Sequence, residues 1–342
     1  MRKLATIRKI DELNPIEGAD AIECAVVGGW KVVAQKGLYN VGGLAVYFEI
    51  DSWIPTELAP FLSKGKEPRE FEGVKGERLK TIKLRGQLSQ GLLMPLAEIM
   101  KLEDAGTLYI EEGADITEFL GIKKWEKPVN AQLAGVCRGN FPSLIPKTDQ
   151  ERVQNLKKEI TAAQNDVFEV TEKMEGSSMT VYQMVVDGEM QFGVCSRNMD
   201  LKETEGNSFW ATARKDDIEA KMKAVDEFWS FAIQGELIGP GVQGNIYGLK
   251  EPMFVVFDVY DIQAGEYIPP DARRELIANM GLNHVPVLNE RYVLTQTVDE
   301  IIASAEGQST FAKVEREGIV FKQAMGGFSF KAISNKYLLG EK

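Results

Sequence analysis

The chain has 342 residues, enough for two domains at about 150 residues each, and 44% hydrophobic with 27% charged residues is ordinary globular composition. The net charge of −11 argues against a generic nucleic-acid coat but leaves room for a local basic groove. The charged, alternating start Met1–Lys9 is no signal peptide, no apolar run reaches the roughly 18 residues of a membrane span, and one histidine cannot supply a histidine-rich metal site.

Taken in chain order, the first hundred residues read as short strands. Leu4–Ile10 and Ala21–Val27 are rich in β-formers. Trp30–Gln35 follows a Gly28-Gly29 turn, and Leu44–Ile50 follows Gly42-Gly43. Leu79–Leu84 alternates, and Gly91–Met94 closes the set. About five short strands with glycine turns predict a small barrel such as an OB-fold, with a sandwich as the rival. Between residues 64 and 85 lie eight basic and four acidic residues, a local excess of four positive charges in an acidic protein. Lys75, Arg78, Lys80, Lys83 and Arg85 are the candidates there for nucleic-acid phosphates, set against a plain solvated loop.

Residues 97 to 130 are mixed, with Pro128 near their end, and read as an inter-domain connection. A helix is predicted over Asp149–Ala163, capped by Thr148 or Asp149. Strands follow at Val167–Glu172, Met179–Val186 and Met190–Cys195, the last two joined at Asp187-Gly188. Helices are expected at Asp216–Ala224, Arg273–Met280 and Val298–Ala305. Further strands are expected at Phe228–Gln234, Met253–Tyr260, Glu317–Lys322 and Phe328–Ile333. His284 sits in what reads as a loop and is expected to be a surface or structural residue. Cys24, Cys137 and Cys195 lie too far apart for a metal site or disulfide framework, which fits a reducing, cytoplasmic setting. The fold class is α+β with mainly antiparallel sheets. The expected domains are 1–125 and 126–342.

Chemistry in such a chain must come from lysine, arginine and carboxylates. The strand ending at Glu172 runs into Lys173-Met174-Glu175-Gly176. A Lys-x-x-Gly alone carries little, because 32 glycines in 342 residues put one three positions after a lysine about one time in eleven. Lys83-Leu84-Arg85-Gly86 matches the same pattern. The segments downstream of Lys173 separate the two: Cys195-Ser196-Arg197-Asn198, Gly235-Glu236-Leu237-Ile238-Gly239-Pro240-Gly241, Val255-Val256-Phe257-Asp258-Val259, Glu317-Gly318-Ile319-Val320-Phe321-Lys322 and Phe328-Ser329-Phe330-Lys331.

This ordered series resembles the collinear motifs of the covalent nucleotidyltransferases: ATP-dependent RNA and DNA ligases and mRNA-capping guanylyltransferases. Glu-Leu-Ile-Gly-Pro-Gly and the short tail look most like nick-sealing RNA ligases. The segments Pro15–Asp20, Gly28–Val33 and Val46–Asp51 look like the OB module that precedes the catalytic domain in one group of them, which places Lys83-Leu84-Arg85-Gly86 in that module. The resemblance implies an N-terminal OB-fold barrel and a C-terminal nucleotidyltransferase domain. It implies an enzyme that seals 3′-hydroxyl/5′-phosphate breaks in nicked RNA or RNA-containing duplex, with ATP and Mg2+ or Mn2+, as a monomer away from membranes.

Carried over by motif, Lys173 is the nucleophile that holds AMP. Glu172 and Arg197 contact the nucleotide, Glu236 the ribose hydroxyls, and Phe257 stacks on adenine. Glu317 binds metal, and Lys322 and Lys331 clamp phosphates. Lys147 and Arg152 are further phosphate candidates. A free lysine has a pKa of about 10.4, so the nucleophile needs help to lose its proton. Bound metal, Arg152, Lys322 and Lys331 are the expected source of that field. Many RNA ligases close the last motif with Lys-x-Lys; here Ser329-Phe330-Lys331 takes its place, with Lys336 further on. A capping guanylyltransferase or a DNA ligase normally carries a second OB domain after the last motif, for which the eleven residues beyond Lys331 leave no room. A non-catalytic RNA-binding protein is expected to lose charged motif residues, and Lys173, Glu236, Glu317 and Lys331 are all present.

Overall fold

The computed structural model describes residues 2–126, 137–186 and 188–340. The connection expected to run through Pro128 and the turn residue Asp187 fall partly or wholly outside those residues. The chain forms two compact units: Met1–Pro128 with Val153–Glu159, and Val129–Arg152 with Ile160–Lys342.

The N-terminal unit is built of short strands because its β-branched and aromatic runs are cut by glycine turns. Leu44–Phe48 pairs antiparallel with Ala5–Lys9 on one side and Leu92–Pro95 on the other. Ile22–Val27 and Trp30–Gln35 form the expected hairpin, with Gly28 in the left-handed region its turn needs. Leu4, Ile7, Val46, Phe48, Ile54 and Met94 share one core. The segment Val153–Glu159 belongs to this unit through Asn155. Its side chain accepts from Arg8 Nη2 at 3.1 Å and Trp30 Nε1 at 2.7 Å, and donates to Glu49 at 3.2 Å.

Much of the basic stretch is strand: alternation pointed to Thr81–Leu84 but not to Arg69–Phe71 or Val74–Arg78. Arg69–Phe71 pairs with Val74–Arg78, and Thr81–Leu84 with Gln87–Gln90. The second pair turns at Arg85 and Gly86, both at positive φ (50° and 79°). The decoy Lys-x-x-Gly is thus a two-residue hairpin turn.

The C-terminal unit has two sheets. The larger runs Cys137–Asn140, Met199–Leu201, Glu189–Cys195, Ser177–Val186, Phe231–Ile238, Met253–Asp261, Glu266–Tyr267, with Asn283–His284 added in parallel. The smaller runs Glu151–Arg152, Ser329–Ile333, Gly318–Gln323, Val167–Lys173, Val287–Val293. Helices Ser208–Lys215, Ile218–Val225 and Pro270–Asn279 bury Trp210, Met222 and Ile277 in the same core as Val181, Phe231 and Ile233 of the larger sheet. Each such apolar side chain contributes roughly 1.5–3 kcal/mol. Helix Val298–Ser304 starts with a capping box between Thr297 and Glu300.

Three expectations are corrected. The helix over Asp149–Ala163 begins only at Lys157 and ends at Ala162, because Glu151–Arg152 pairs in parallel with Phe330–Lys331 and Val153–Asn155 is a 3-10 turn. Asp149 cannot cap it, since its carboxylate engages Arg197 and Lys331. The helix expected at Asp216–Ala224 runs Ile218–Val225, its start fixed by Asp217 at positive φ, and the helix Ser208–Lys215 just before it was not expected. His284 is not in a loop but pairs with Val256 in the two-residue parallel strand.

Candidate active site

Two sheet registers assemble the site. Lys173 ends the strand Val167–Lys173 and lies opposite Gly318, the first residue of the neighbouring strand. A Cβ on Gly318 would sit 2.2 Å from the Ala332 carbonyl, so only glycine lets the strands close there. That register delivers Glu317, one residue earlier, to Lys173. The second approach is made by Gly176, where a Cβ would lie 2.4 Å from the Leu237 carbonyl and 2.7 Å from Glu236 Cγ. Ser178 pairs with Glu236 directly afterwards. The glycine of the motif is therefore demanded by contact with the Glu236 strand, whereas the decoy's Gly86 meets open space.

Lys173 Nζ lies 2.8 Å from Glu317 Oε1, with side chains 26% and 15% exposed. Burial, the largest single influence, pulls the Lys173 pKa down, and Arg152 pulls the same way. Glu317 and Glu236 outweigh them, and the net shift is upward. This corrects the expectation that surrounding cations depress it. Arg152 acts in the expected sense, and the carboxylates outweigh it. Glu236 is pushed up to about 7, first by burial and then by Glu317, against the opposing pull of Lys173, Arg197 and Lys331. Lys173, Glu236, Glu317, Arg152, Arg197 and Lys331 thus form one electrostatically coupled group.

Asp149 joins that group. It lies 2.8 Å from Arg197 and 3.2 Å from Lys331, tying two candidate phosphate ligands together. Lys147 is exposed and donates to Asn198 Oδ1 at 2.9 Å, beside Arg197.

Lys322 is not in the group around Lys173. Its Nζ is 2.6 Å from Asp258 Oδ1, donates to the Phe257 carbonyl, and lies 5.3 Å from the Phe257 ring centroid. Burial depresses its pKa to about 8. Asp258 also meets Arg273, which is bound to Glu169 and donates to His284 Nε2 at 3.2 Å. Burial holds His284 neutral, with its pKa lowered to about 4. Its role is structural. A cavity of about 280 Å3 opens beside this network, lined among others by Lys147, Asp149, Asp258, Arg273, Lys322 and Ser329.

Phe257 is the extra residue of a β-bulge: Gly235 faces Val256 and Gln234 faces Asp258, leaving Phe257 unmatched. Bulges re-aim side chains, and this ring packs with Met174 and Ile238. Glu172 is buried. Its Oε2 accepts from the Thr310 N–H and hydroxyl at 2.9 and 3.1 Å, while Oε1 has no hydrogen-bond partner among the described residues.

Asp149, Asp258 and Thr310 are the site-linked residues that the motif reading missed. Asp149 had a competing reading as a helix cap, Asp258 stands next to a motif aromatic, and nothing in the sequence marks Thr310. Among the described residues no cluster of three or more histidine, cysteine or acidic side chains is placed to hold a metal. Glu317 and Glu236 offer two carboxylates, which suits a cation that arrives with phosphate oxygens and water rather than one caged by protein.

The basic candidates belong to the N-terminal unit. Lys75 pairs with Glu67 at 2.9 Å, and Arg78 pairs with Asp51 at 2.6 Å and stacks 3.9 Å over Trp125. Lys80, Lys83 and Arg85 are exposed, on or beside the Thr81–Gln90 ribbon.

A family model described as RNA ligase matches residues 166–333, and one described as an OB-fold domain matches residues 4–96. The strand set of the N-terminal unit is accordingly an OB-fold. No curated protein matches. Among solved structures, Naegleria gruberi RNA ligase with PPi is 45% identical, covering 99% of this chain and 98% of that one with a TM-score of 0.90. A variant of that ligase with ATP and Mn is 45% identical over 98% of each chain, and another with AMP and Mn is 44% identical over 100% of each, both at 0.90.

Proposed function

Since this chain belongs to the RNA ligase family, we propose that it seals 3′-hydroxyl/5′-phosphate breaks in an RNA-containing duplex, using ATP and a divalent cation, through a lysyl-AMP on Lys173. The observation that carries the reading is the register that sets Lys173 Nζ 2.8 Å from Glu317 with Glu236 coupled to both. Support for the nucleotide and metal comes from the ATP, AMP and Mn held by the Naegleria ligase variants.

Lys173 must first lose the proton that Glu317 stabilises. A divalent ion bound at Glu317 would compete for that carboxylate and balance the charge of the triphosphate. The free amine of Lys173 then attacks the α-phosphorus, the bond to the β-phosphate oxygen breaks, and pyrophosphate leaves. Arg197 and Lys331, held together by Asp149, face that phosphate chemistry, with Arg152 and Lys147 beside them. Glu236 accepts from the ribose hydroxyls. Phe257 stacks on the purine. Glu172 Oε1, an unmatched acceptor, suits a donor such as the adenine exocyclic amine; guanine carries an oxygen at that position. Lys322 supports this pocket indirectly by holding Asp258 and the Phe257 carbonyl, in place of the phosphate role expected for it.

In the second step a 5′-phosphate oxygen attacks the bound AMP phosphorus, the P–N bond breaks, and Lys173 regains its proton. In the third, the 3′-hydroxyl oxygen attacks the activated 5′-phosphorus and releases its proton to solvent, while the bond from that phosphorus to the bridging oxygen breaks and AMP leaves with the oxygen. We place the protein in the reducing interior of the cell, a setting that suits its three free cysteines, and take it to act as a monomer. No described helix is long and apolar enough to cross a membrane.

The test is incubation with α-labelled ATP and Mg2+ or Mn2+, followed by sealing of a nicked RNA duplex. Wild type is expected to take one AMP and seal; Lys173→Ala is expected to do neither. Retained AMP labelling in Lys173→Ala ends the assignment.

A further inference from the structure

We propose that Tyr247 is a positioning residue for the nucleophile: its hydroxyl fixes the short link that carries the chain from Lys173 to the strand paired with Glu236. The inference rests on the lysyl-AMP reading above and adds the side chain that sets where the amine stands.

The link is the first ground. The strand Val167–Lys173 lies in the smaller sheet and Ser177–Val186 in the larger, so Met174-Glu175-Gly176 joins the two sheets directly after the nucleophile. These residues lie beyond the end of one ladder and before the start of the other. A backbone N–H in such a place needs an acceptor from elsewhere in the fold. Tyr247 supplies it: its hydroxyl oxygen accepts from the Glu175 N–H at 2.7 Å. The Glu175 carboxylate is engaged separately, by the Tyr337 hydroxyl. Both ends of the link are fixed by close backbone approach, at Gly318 opposite Lys173 and at Gly176 against Leu237. Its middle is fixed by the Tyr247 hydroxyl.

The second ground is how Tyr247 is itself held. It stands in the loop 239–249, which follows the Glu236 strand and has Gly239, Gly241, Gln243, Asn245 and Gly248 at positive φ. Non-glycine residues persist in that region where their surroundings dictate it. Asn245 does so here, donating to the Leu249 carbonyl at 3.0 Å and accepting from the Leu249 N–H at 3.1 Å. Tyr247 is 8% exposed, and its ring meets Phe311 edge-on at 5.4 Å. It shares a cluster with Met174, Ile238 and Val255, and Phe257 packs against that cluster. Burial pushes the Tyr247 pKa well above its ordinary value, so the hydroxyl stays neutral. One phenol thus ties the link after Lys173 to the wall that carries the proposed purine stack. Its hydroxyl bears on where the amine points, and its ring on the purine wall. An attacking group displaced by about 1 Å can lose about 100-fold in rate, so the hydroxyl is expected to act on rate more than on ATP affinity.

The experiment is single-turnover AMP loading of the full chain with α-labelled ATP and Mn2+, over a range of ATP concentrations. It compares wild type, Tyr247→Phe and Tyr47→Phe, the last a buried tyrosine of the N-terminal unit whose hydroxyl donates to the Gln90 carbonyl at 3.0 Å. Tyr247→Phe keeps the ring and is expected to lower the maximal rate about 10- to 100-fold, with the half-saturating ATP concentration within about twofold of wild type. Tyr47→Phe is expected to keep both values. Thermal melting checks that Tyr247→Phe is folded. Should it not fold, 3-fluorotyrosine placed at position 247 alone takes over, a weaker acceptor in the same place. It is expected to lower the maximal rate at an unchanged half-saturating concentration. A wild-type maximal rate in either folded variant overturns the proposal. So does a loss confined to the half-saturating concentration, or an equal loss in Tyr47→Phe. A wild-type chain that takes no AMP label removes the lysyl-AMP premise instead, and that failure is read before any variant is compared.

Discussion

Glu317 holds the proton on Lys173. At 2.8 Å the two side chains neutralise one another, and the pKa of the amine rises rather than falls. An enzyme poised this way does not expose a free nucleophile until something else claims the carboxylate.

Replacing Glu317 by Gln removes the leading cause of that upward shift. The amine is expected to deprotonate at lower pH than in wild type, read as the pH dependence of Lys173 modification by an amine-reactive reagent, followed by mass spectrometry. AMP loading is nonetheless expected to fall by about 100-fold or more, because the same carboxylate is the candidate metal ligand. An amine that titrates at unchanged or higher pH in the variant contradicts the ion-pair account.

Glu236 titrates near neutrality, with a pKa raised to about 7 by burial. If its anion receives the ribose hydroxyls, AMP loading rises with pH through about 7, and Glu236→Gln loses that inflection along with most of the rate. The stability effect follows from the sign of the shift. The folded state disfavours the anion, so the penalty grows as pH rises from the unfolded value toward 7 and is full above it. Glu236→Gln is therefore expected to melt higher than wild type at pH 8 and close to it at pH 4. Equal melting differences at both pH values count against the raised pKa.

Lys322 and Asp258 are a buried pair, 9% and 7% exposed. Removing one partner strands the other charge, which typically costs about 3–5 kcal/mol. Asp258→Asn is expected to lose that much in urea unfolding. Lys322→Met should lose less, because Arg273 still faces Asp258. AMP loading should fall in both through the displaced Phe257 ring. A Lys322 variant of wild-type stability with sharply weakened phosphate binding would return this lysine to the phosphate-clamping role.

The two Lys-x-x-Gly glycines should respond in opposite ways to a methyl group. Gly176→Ala forces a backbone shift against Leu237 and is expected to abolish AMP loading. Gly86→Ala enters open space and suffers only the left-handed backbone, about 1–2 kcal/mol. Its AMP loading is expected to stay within twofold of wild type. Comparable losses in both variants would remove the packing argument.

That contrast also explains what the sequence made legible. Ordered motifs found the Lys173 group because strand register turns linear spacing into proximity: Lys173 opposite Gly318, Ser178 opposite Glu236, Arg152 opposite Lys331. Alternation found most strands of the C-terminal unit and the Gly28-Gly29 hairpin. It failed at Arg69–Phe71 and Val74–Arg78, where charged residues occupy both faces of short strands and no apolar period survives. It failed at Asp149, whose position before an apolar period imitates a helix cap while its carboxylate serves two distant cations, Arg197 in a turn and Lys331 on a strand. The partners of Lys322 were hidden for a similar reason. Its motif position says which strand it is on, but its partner Asp258 comes from the other sheet, and pairing across sheets leaves no trace in spacing.

The excursion of Val153–Glu159 has a consequence for how this chain can be divided. The backbone leaves the C-terminal unit immediately after Arg152, completes the N-terminal unit through Asn155, and returns at Ile160. A single cut cannot yield two intact halves: an isolated C-terminal fragment keeps a segment whose partners Arg8, Trp30 and Glu49 are gone, and an isolated N-terminal fragment lacks its own internal peg. Transplanting either half onto another scaffold therefore takes two junctions, one of them next to Arg152, which is coupled to Lys173.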